Sequence, residues 1–194
     1  MDDKQTAISK AAVAVFARRG FHQTTVSEIA HEAGVAKGTI YLYFKSKSEI
    51  LVAIFRRYFD EMLNFVDGLI TLKLPVAEAL QAFVEKYIGL LRQEPELIQL
   101  LGRRPLETSS EGDEAMLSFR SYLIERVSGL LERGIEMGEL RPFDTRIGAC
   151  VVLGMQEAIP LYMTALPKTS ADSVEHVTRE LVDFMWASIR KEPV

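Results

Sequence analysis

Apolar residues recur at helical spacing along most of the chain. Ile8, Ala11, Ala12, Val15 and Phe16 fall at i, i+3, i+4, i+7 and i+8, the stripe of an amphipathic helix. Gly20 follows where a left-handed residue ends a helix. Thr25-Val-Ser-Glu28 is a capping box, in which hydroxyl and carboxylate satisfy each other's backbone amides. It opens a helix with Ile29, Ala30 and Ala33 on its inner face and Gly34 at its end. A third helix is predicted over Lys37 to Tyr43. A second capping box, Ser46-Lys-Ser-Glu49, opens a fourth helix that extends to about Leu72. Pro75 suits the first turn of a fifth, which runs to about Gln93. A short helix over Glu96 to Gly102 comes next, then a polar loop over Glu107 to Asp113. Long helices follow over Glu114 to Met137 and from the cap Asp144 to about Leu166, the latter kinked at Pro160. A third capping box, Asp172-Ser-Val-Glu175, opens the last helix, to about Arg190. No run alternates as a strand requires. The fold class is all-α.

The 194 residues are 48% hydrophobic and 26% charged, which excludes a disordered chain. The stretch most like a membrane span, Ile147 to Pro167, carries Gln156 and Glu157 at its middle. A charge at a bilayer centre costs about 2.5–3.5 kcal/mol, so this reads as a buried helix of a soluble protein. The N-terminus has no apolar core of a signal peptide, and the single cysteine, Cys150, fits a reducing compartment. A cytoplasmic protein without membrane partner is expected, with Cys150 buried and inert. His22, His31 and His176 are scattered without ligand spacing, so neither metal nor cofactor is expected. Net charge is −4, but residues 1–50 hold seven basic and five acidic residues, leaving −6 on the remainder. A basic head on an acidic body turns one end towards a polyanion.

The second and third helices have helix-turn-helix spacing. Ala30 is small where two helices cross, Gly34 supplies the positive φ of the turn, and Val35 and Ile40 pin the second helix to the first. The outward face is then Lys37, Gly38, Thr39, Tyr41 and Tyr43, although the i, i+2 spacing of the tyrosines keeps them from facing the same side. Such a helix enters a major groove, where a lysine donates to guanine acceptors and Gly38 lets the backbone come close. The hydroxyls of Thr39, Tyr41 and Tyr43 and the ammonium of Lys47 suit phosphate oxygens. The amides of the helix beginning near Thr25 offer a second phosphate site.

Residues 8–55, above all the run TTVSEIAHEAGVAKGTIYLYFKSKSEIL, resemble the DNA-binding domain of the TetR family of bacterial transcriptional regulators. The resemblance implies an all-α homodimer with a three-helix DNA-binding head over residues 1–47 and a ligand-binding and dimerisation domain over 48–194. By position, the family's DNA contacts fall on Thr25, Ser27, Lys37, Gly38, Thr39, Tyr41, Tyr43 and Lys47. The C-terminal half is similar to the family's acyl-CoA-responsive regulators of fatty-acid degradation. That likeness lies in IYLYFKSKSEIL, LLERGIEMGELRPFDTRIGA and LGMQEAIPLYM.

The expected function is a repressor that binds a near-palindromic double-stranded operator as a homodimer and is released by a largely apolar effector, with long-chain acyl-CoA as the specific candidate. Phe59, Met62, Phe83, Tyr87, Phe119, Tyr122, Met155 and Tyr162 fall mostly on apolar helix faces, and those that are not core line the pocket. Arg103 and Arg104 are surface charges or meet an anionic ligand group, with Arg92 a further candidate. Interruptions at Thr71 to Val76 and Glu107 to Asp113 offer ligand entry. The last two helices are expected to form the dimer interface, the helix from Asp144 through Ile147, Val151, Val152, Met155, Ile159 and Tyr162 and the final one through Val174, Val177, Leu181, Met185 and Ile189. A regulator of a drug-like ligand in efflux control competes with this reading. An enzyme is disfavoured, because no nucleophile motif frames the Ser, His and Asp residues.

Overall fold

The computed structural model describes residues 3–101, 110–165 and 174–191. Among them run nine helices: α1 Asp3–Arg19, α2 Val26–Glu32, α3 Lys37–Tyr41, α4 Lys47–Leu72, α5 Val76–Gln93, α6 Pro95–Leu101, α7 Ser110–Glu136, α8 Thr145–Ala165 and α9 Val174–Ile189. The described residues contain no strand, only an isolated bridge between Leu140 and Arg190. No helix among them is long and apolar enough to cross a membrane.

Two compact units emerge, Met1–Glu61 with Glu94–Arg120, and Met62–Gln93 with Ser121–Val194. In the first, α1 packs against α2 and α6, and α2 against α3. Its core holds Ile8, Phe16, Ile29, Ile40, Ile50, Leu51, Ile54 and Phe55, all essentially without solvent contact. Because α6 lies on α1, the first unit includes sequence well beyond the helix-turn-helix. In the second unit α5, α8 and α9 pack on one another around Leu80, Phe83, Val84, Ala149 and Val152.

Helix ends follow local chemistry. Thr25 caps α2: its Oγ1 accepts from the Glu28 amide at 3.3 Å, and the Glu28 carboxylate accepts from the Thr25 amide at 2.8 Å. Ser46 Oγ accepts from the Glu49 amide at 3.0 Å, and Asp144 Oδ1 accepts from the amides of Arg146 and Ile147. At the end of α2, Gly34 takes φ +63° while the Gly34 amide bonds to the His31 carbonyl and the Val35 amide to the Ala30 carbonyl. That is the doubly bonded left-handed cap which a side chain would strain. Gly20 and Gly138 are left-handed at the ends of α1 and α7. The third capping box, at Asp172, lies outside the described residues.

Three expectations change. The third helix stops at Tyr41, since Leu42, Tyr43 and Phe44 form turns into α4. The polar stretch expected as a loop over Glu107 to Asp113 is helical from Ser110 onward, its acids Glu111 and Asp113 lying in the first turn, where the helix dipole favours them. Cys150 is exposed, because the face of α8 that bears it is not covered by its own chain.

One lysine closes the head. The Lys47 ammonium, at the start of α4, donates to the carbonyls of Phe21 at 2.6 Å, Thr24 at 2.7 Å and His22 at 3.3 Å, and sits 4.4 Å over the Phe21 ring. Partial burial lowers its pKa, and the nearby Glu28 opposes that shift. Arg19 pairs with Glu28, and Arg18 with Glu32 at 2.6 Å, tying α1 to α2.

Lys47→Met keeps the stem on Phe21 but removes the three charge-assisted bonds; thermal or urea unfolding should show a loss of about 1–3 kcal/mol. The carboxyl of Glu28 is held below its usual range, first by the Thr25 amide and hydroxyl and then by Arg19; Glu32 is held low by Arg18. A depressed acid stabilises the fold above its unfolded pKa and loses that contribution as pH falls through the folded one. Melting temperature should therefore drop below the ordinary glutamate value near 4.5. Glu28→Gln, which retains an acceptor for the Thr25 amide, should flatten that dependence in melts across pH; an unchanged slope would remove Glu28 from the account.

Candidate nucleic-acid interface

The candidate surface of the first unit is built on α3, a helix of five residues. Its buried side is Ile40, packed into the head. Leu42 keeps helical angles, φ −73° and ψ −23°, so the helical register extends through it. On that register Lys37, Gly38, Tyr41 and Leu42 share one arc, and all four are exposed. Thr39 and Tyr43 are half-buried at its margins. Of the two tyrosines, Tyr41 is the outward one, at 49% exposure.

The remaining predicted contacts stand on neighbouring elements. Thr25 and Ser27 are exposed at the start of α2. The Thr25 amide and hydroxyl both donate to the Glu28 carboxylate, at 2.8 and 2.9 Å, so these donors are engaged within the capping box. Lys47 is half-buried with its ammonium on the three carbonyls. Ser27 borders a shallow groove of about 310 Å³ with Arg18, Arg19, Glu28, His31 and Glu32, where both arginines face carboxylates. The basic head thus spends part of its positive charge internally, and Lys37 carries charge on the exposed arc.

Sequence reasoning missed Leu42, which at 82% is the most exposed large apolar side chain among the described residues. The available signal was its position: Leu42 falls one helical turn after Gly38 on the face already assigned outward.

The predicted effector residues separate. Phe59 and Phe119 belong to the first unit and stack with ring centroids 5.3 Å apart. Met62, Phe83 and Tyr87 are buried in the second unit, Met155 is half-buried, and Tyr122 is exposed. Gln156 is buried on α8, its amide 3.5 Å from the Phe83 carbonyl. Arg103, Arg104 and the Tyr162 side chain lie outside the described residues. A groove of about 400 Å³ between α5 and α9 is lined instead by Gln81, Glu85, Ile88, Arg92, Arg179 and Asp183 among others. Of the residues named from sequence only Arg92 borders it. The turn between α4 and α5 is held from α7 and the turn that follows it: Arg133 donates to the carbonyls of Ile70 and Leu74, and Glu139 accepts from the Val76 amide at 2.7 Å.

Known proteins place this geometry. Residues 8–54 match the family model of bacterial regulatory proteins, tetR family. The fatty acid metabolism regulator protein of Bacillus subtilis (strain 168) is 35% identical over 156 residues, covering 78% of each chain. The crystal structure of the transcriptional regulator FadR from Bacillus subtilis in complex with stearoyl-CoA superposes with a TM-score of 0.80. It is 26% identical, over 95% of this chain and 99% of that one. The SmeT–triclosan complex shares the fold, with a TM-score of 0.83 at 22% identity over 97% and 92% of the chains. The helix-turn-helix head, the matched motif and the extent of this similarity have one meaning: the chain belongs to the TetR family of transcriptional regulators.

Proposed function

We propose that this regulator represses transcription by binding a near-palindromic operator as a homodimer, and that a long-chain acyl-CoA releases it. The observation that carries the effector is similarity across nearly the whole chain to a regulator crystallised with stearoyl-CoA. On the DNA side, Lys37 and the arc around it read the major groove, with Thr25, Ser27, Thr39, Tyr41 and Tyr43 as flanking contacts. Lys47 serves this reading from inside, by holding the turn before α2. Two recognition helices must then lie roughly 34–36 Å apart, or a multiple of one helical turn. An effector that favours another spacing weakens DNA binding by the factor with which DNA weakens effector binding.

The proposed dimer surface differs from the α9 stripe expected from sequence. Val177 and Met185 are buried within their own chain, and Leu181 and Ile189 are half-buried, so that stripe covers α9's own neighbours; the Val174 side chain lies outside the described residues. Exposed apolar groups lie at Ile147 (64%) and Val151 (47%) on α8, two of the positions expected from sequence, and at Phe184 (65%) on α9. Two copies burying these faces give a closed, two-fold interface. Val151→Glu should yield monomers with weak operator affinity while leaving helix content unchanged. Sedimentation that still shows a dimer would remove this face from the interface.

The effector is tested by titrating acyl-CoAs of graded length against an operator complex, with free fatty acids, bare coenzyme A and triclosan as controls. Release should strengthen by about fourfold per added CH₂, the equivalent of ~0.8 kcal/mol, until the site is full. Release by triclosan but by no thioester would assign a drug-like effector. Failure of every compound ends the acyl-CoA reading and leaves the regulator intact.

A further inference from the structure

Two features of the α3 arc have no explanation inside the chain. The first is Leu42, at 82% exposure on a helical register. The second is Gly38, one turn earlier. Its φ is not positive, and a Cβ built there meets nothing within 4 Å. Glycine inside a helix costs about 1 kcal/mol relative to alanine. The free protein therefore gains nothing from this glycine, and its missing side chain points to something that approaches from outside. A helical residue and the one four positions before it share a face. Here the earlier residue has no side chain, and nothing, Leu42 included, stands within 4 Å of where its Cβ would be, so Leu42 borders an open shelf at Gly38, beside Lys37 and Tyr41.

We propose that this shelf reads a thymine, with the C5-methyl group entering the open space at Gly38 against Leu42. The inference rests on the operator-binding reading and specifies one part of its specificity. In the major groove the thymine methyl is the apolar feature of the base edges, the others being hydrogen-bond donors and acceptors. Lys37, on the same arc, supplies the polar contact to a neighbouring guanine. The shelf thus adds a discrimination that hydrogen bonding does not make, between thymine and the same base without its methyl.

The test begins with selection of a tight duplex from a random pool using the intact protein. Each thymine of one half-site, and its symmetry mate, is then replaced by deoxyuridine, which removes only the methyl. At one position the parent protein should lose about fourfold in affinity per half-site, the equivalent of ~0.8 kcal/mol for one buried carbon. Leu42→Ala, with an unchanged melting temperature, should bind thymine and deoxyuridine duplexes equally at that position. Gly38→Ala should melt no lower than the parent yet bind the selected duplex more weakly. Indifference of the parent to every deoxyuridine, as a side chain wedged into a base step would also give, overturns the inference while leaving sequence-specific binding in place. Equal methyl dependence in parent and Leu42→Ala overturns it too. If no sequence is enriched from the pool, operator reading itself falls, and this inference with it.

Discussion

A helix of five residues has no stability of its own, because nucleation fixes several residues for each hydrogen bond gained. The proposed DNA-recognition surface is built on such a helix. Everything in the first unit can be understood as holding it. Ile40 anchors it from below, the left-handed Gly34 turn sets its angle to α2, and Leu42 to Phe44 carry the chain directly into α4. At the start of α4, Lys47 closes the circuit by binding the carbonyls of the turn between α1 and α2. A cation of the kind that suits a phosphate is used where three backbone acceptors converge, and a charge-assisted bond there is stronger than a neutral one.

The same economy governs charge. Arg18 and Arg19 face Glu32 and Glu28, and Glu28 also completes the cap of α2. Exposed ion pairs of this kind contribute little to stability. Their effect here is on charge: both arginines face carboxylates, while Lys37 stands exposed on the α3 arc.

In the second unit, two side chains close the junction of α4 and α5 at both ends. The Arg133 guanidinium takes carbonyls at the end of α4, and the Glu139 carboxylate takes the first amide of α5. Helix termini leave such groups without partners, so distant side chains that satisfy them fix one helix against the next. Ser128, Thr145 and the exposed Glu132 form a further chain of hydrogen bonds, from 2.8 to 2.9 Å, joining α7 to α8. These polar ties orient helices whose apolar faces alone permit sliding.

Sequence alone determined the helical class, most helix ends and the helix-turn-helix, because these depend on groups a few residues apart. Thr25 with Glu28, Ser46 with Glu49, Asp144 and Gly34 each act within one turn, and each is found in the role its neighbours imply. The outward arc of α3 was legible for the same reason, through Lys37, Gly38 and Tyr41. Leu42 was missed although the helix expected over Lys37 to Tyr43 contained it, because polar groups and the glycine were assigned as its readers. Tertiary structure decided what periodicity does not contain, namely which neighbour covers an apolar face. The α9 stripe of Val177, Leu181 and Met185 turned inward, leaving Phe184 outside, and Cys150 emerged exposed on α8. Lys47 shows the limit most clearly. Its charge is visible in the sequence, but the carbonyls that take it come from residues more than twenty positions away, and only the folded chain brings them together.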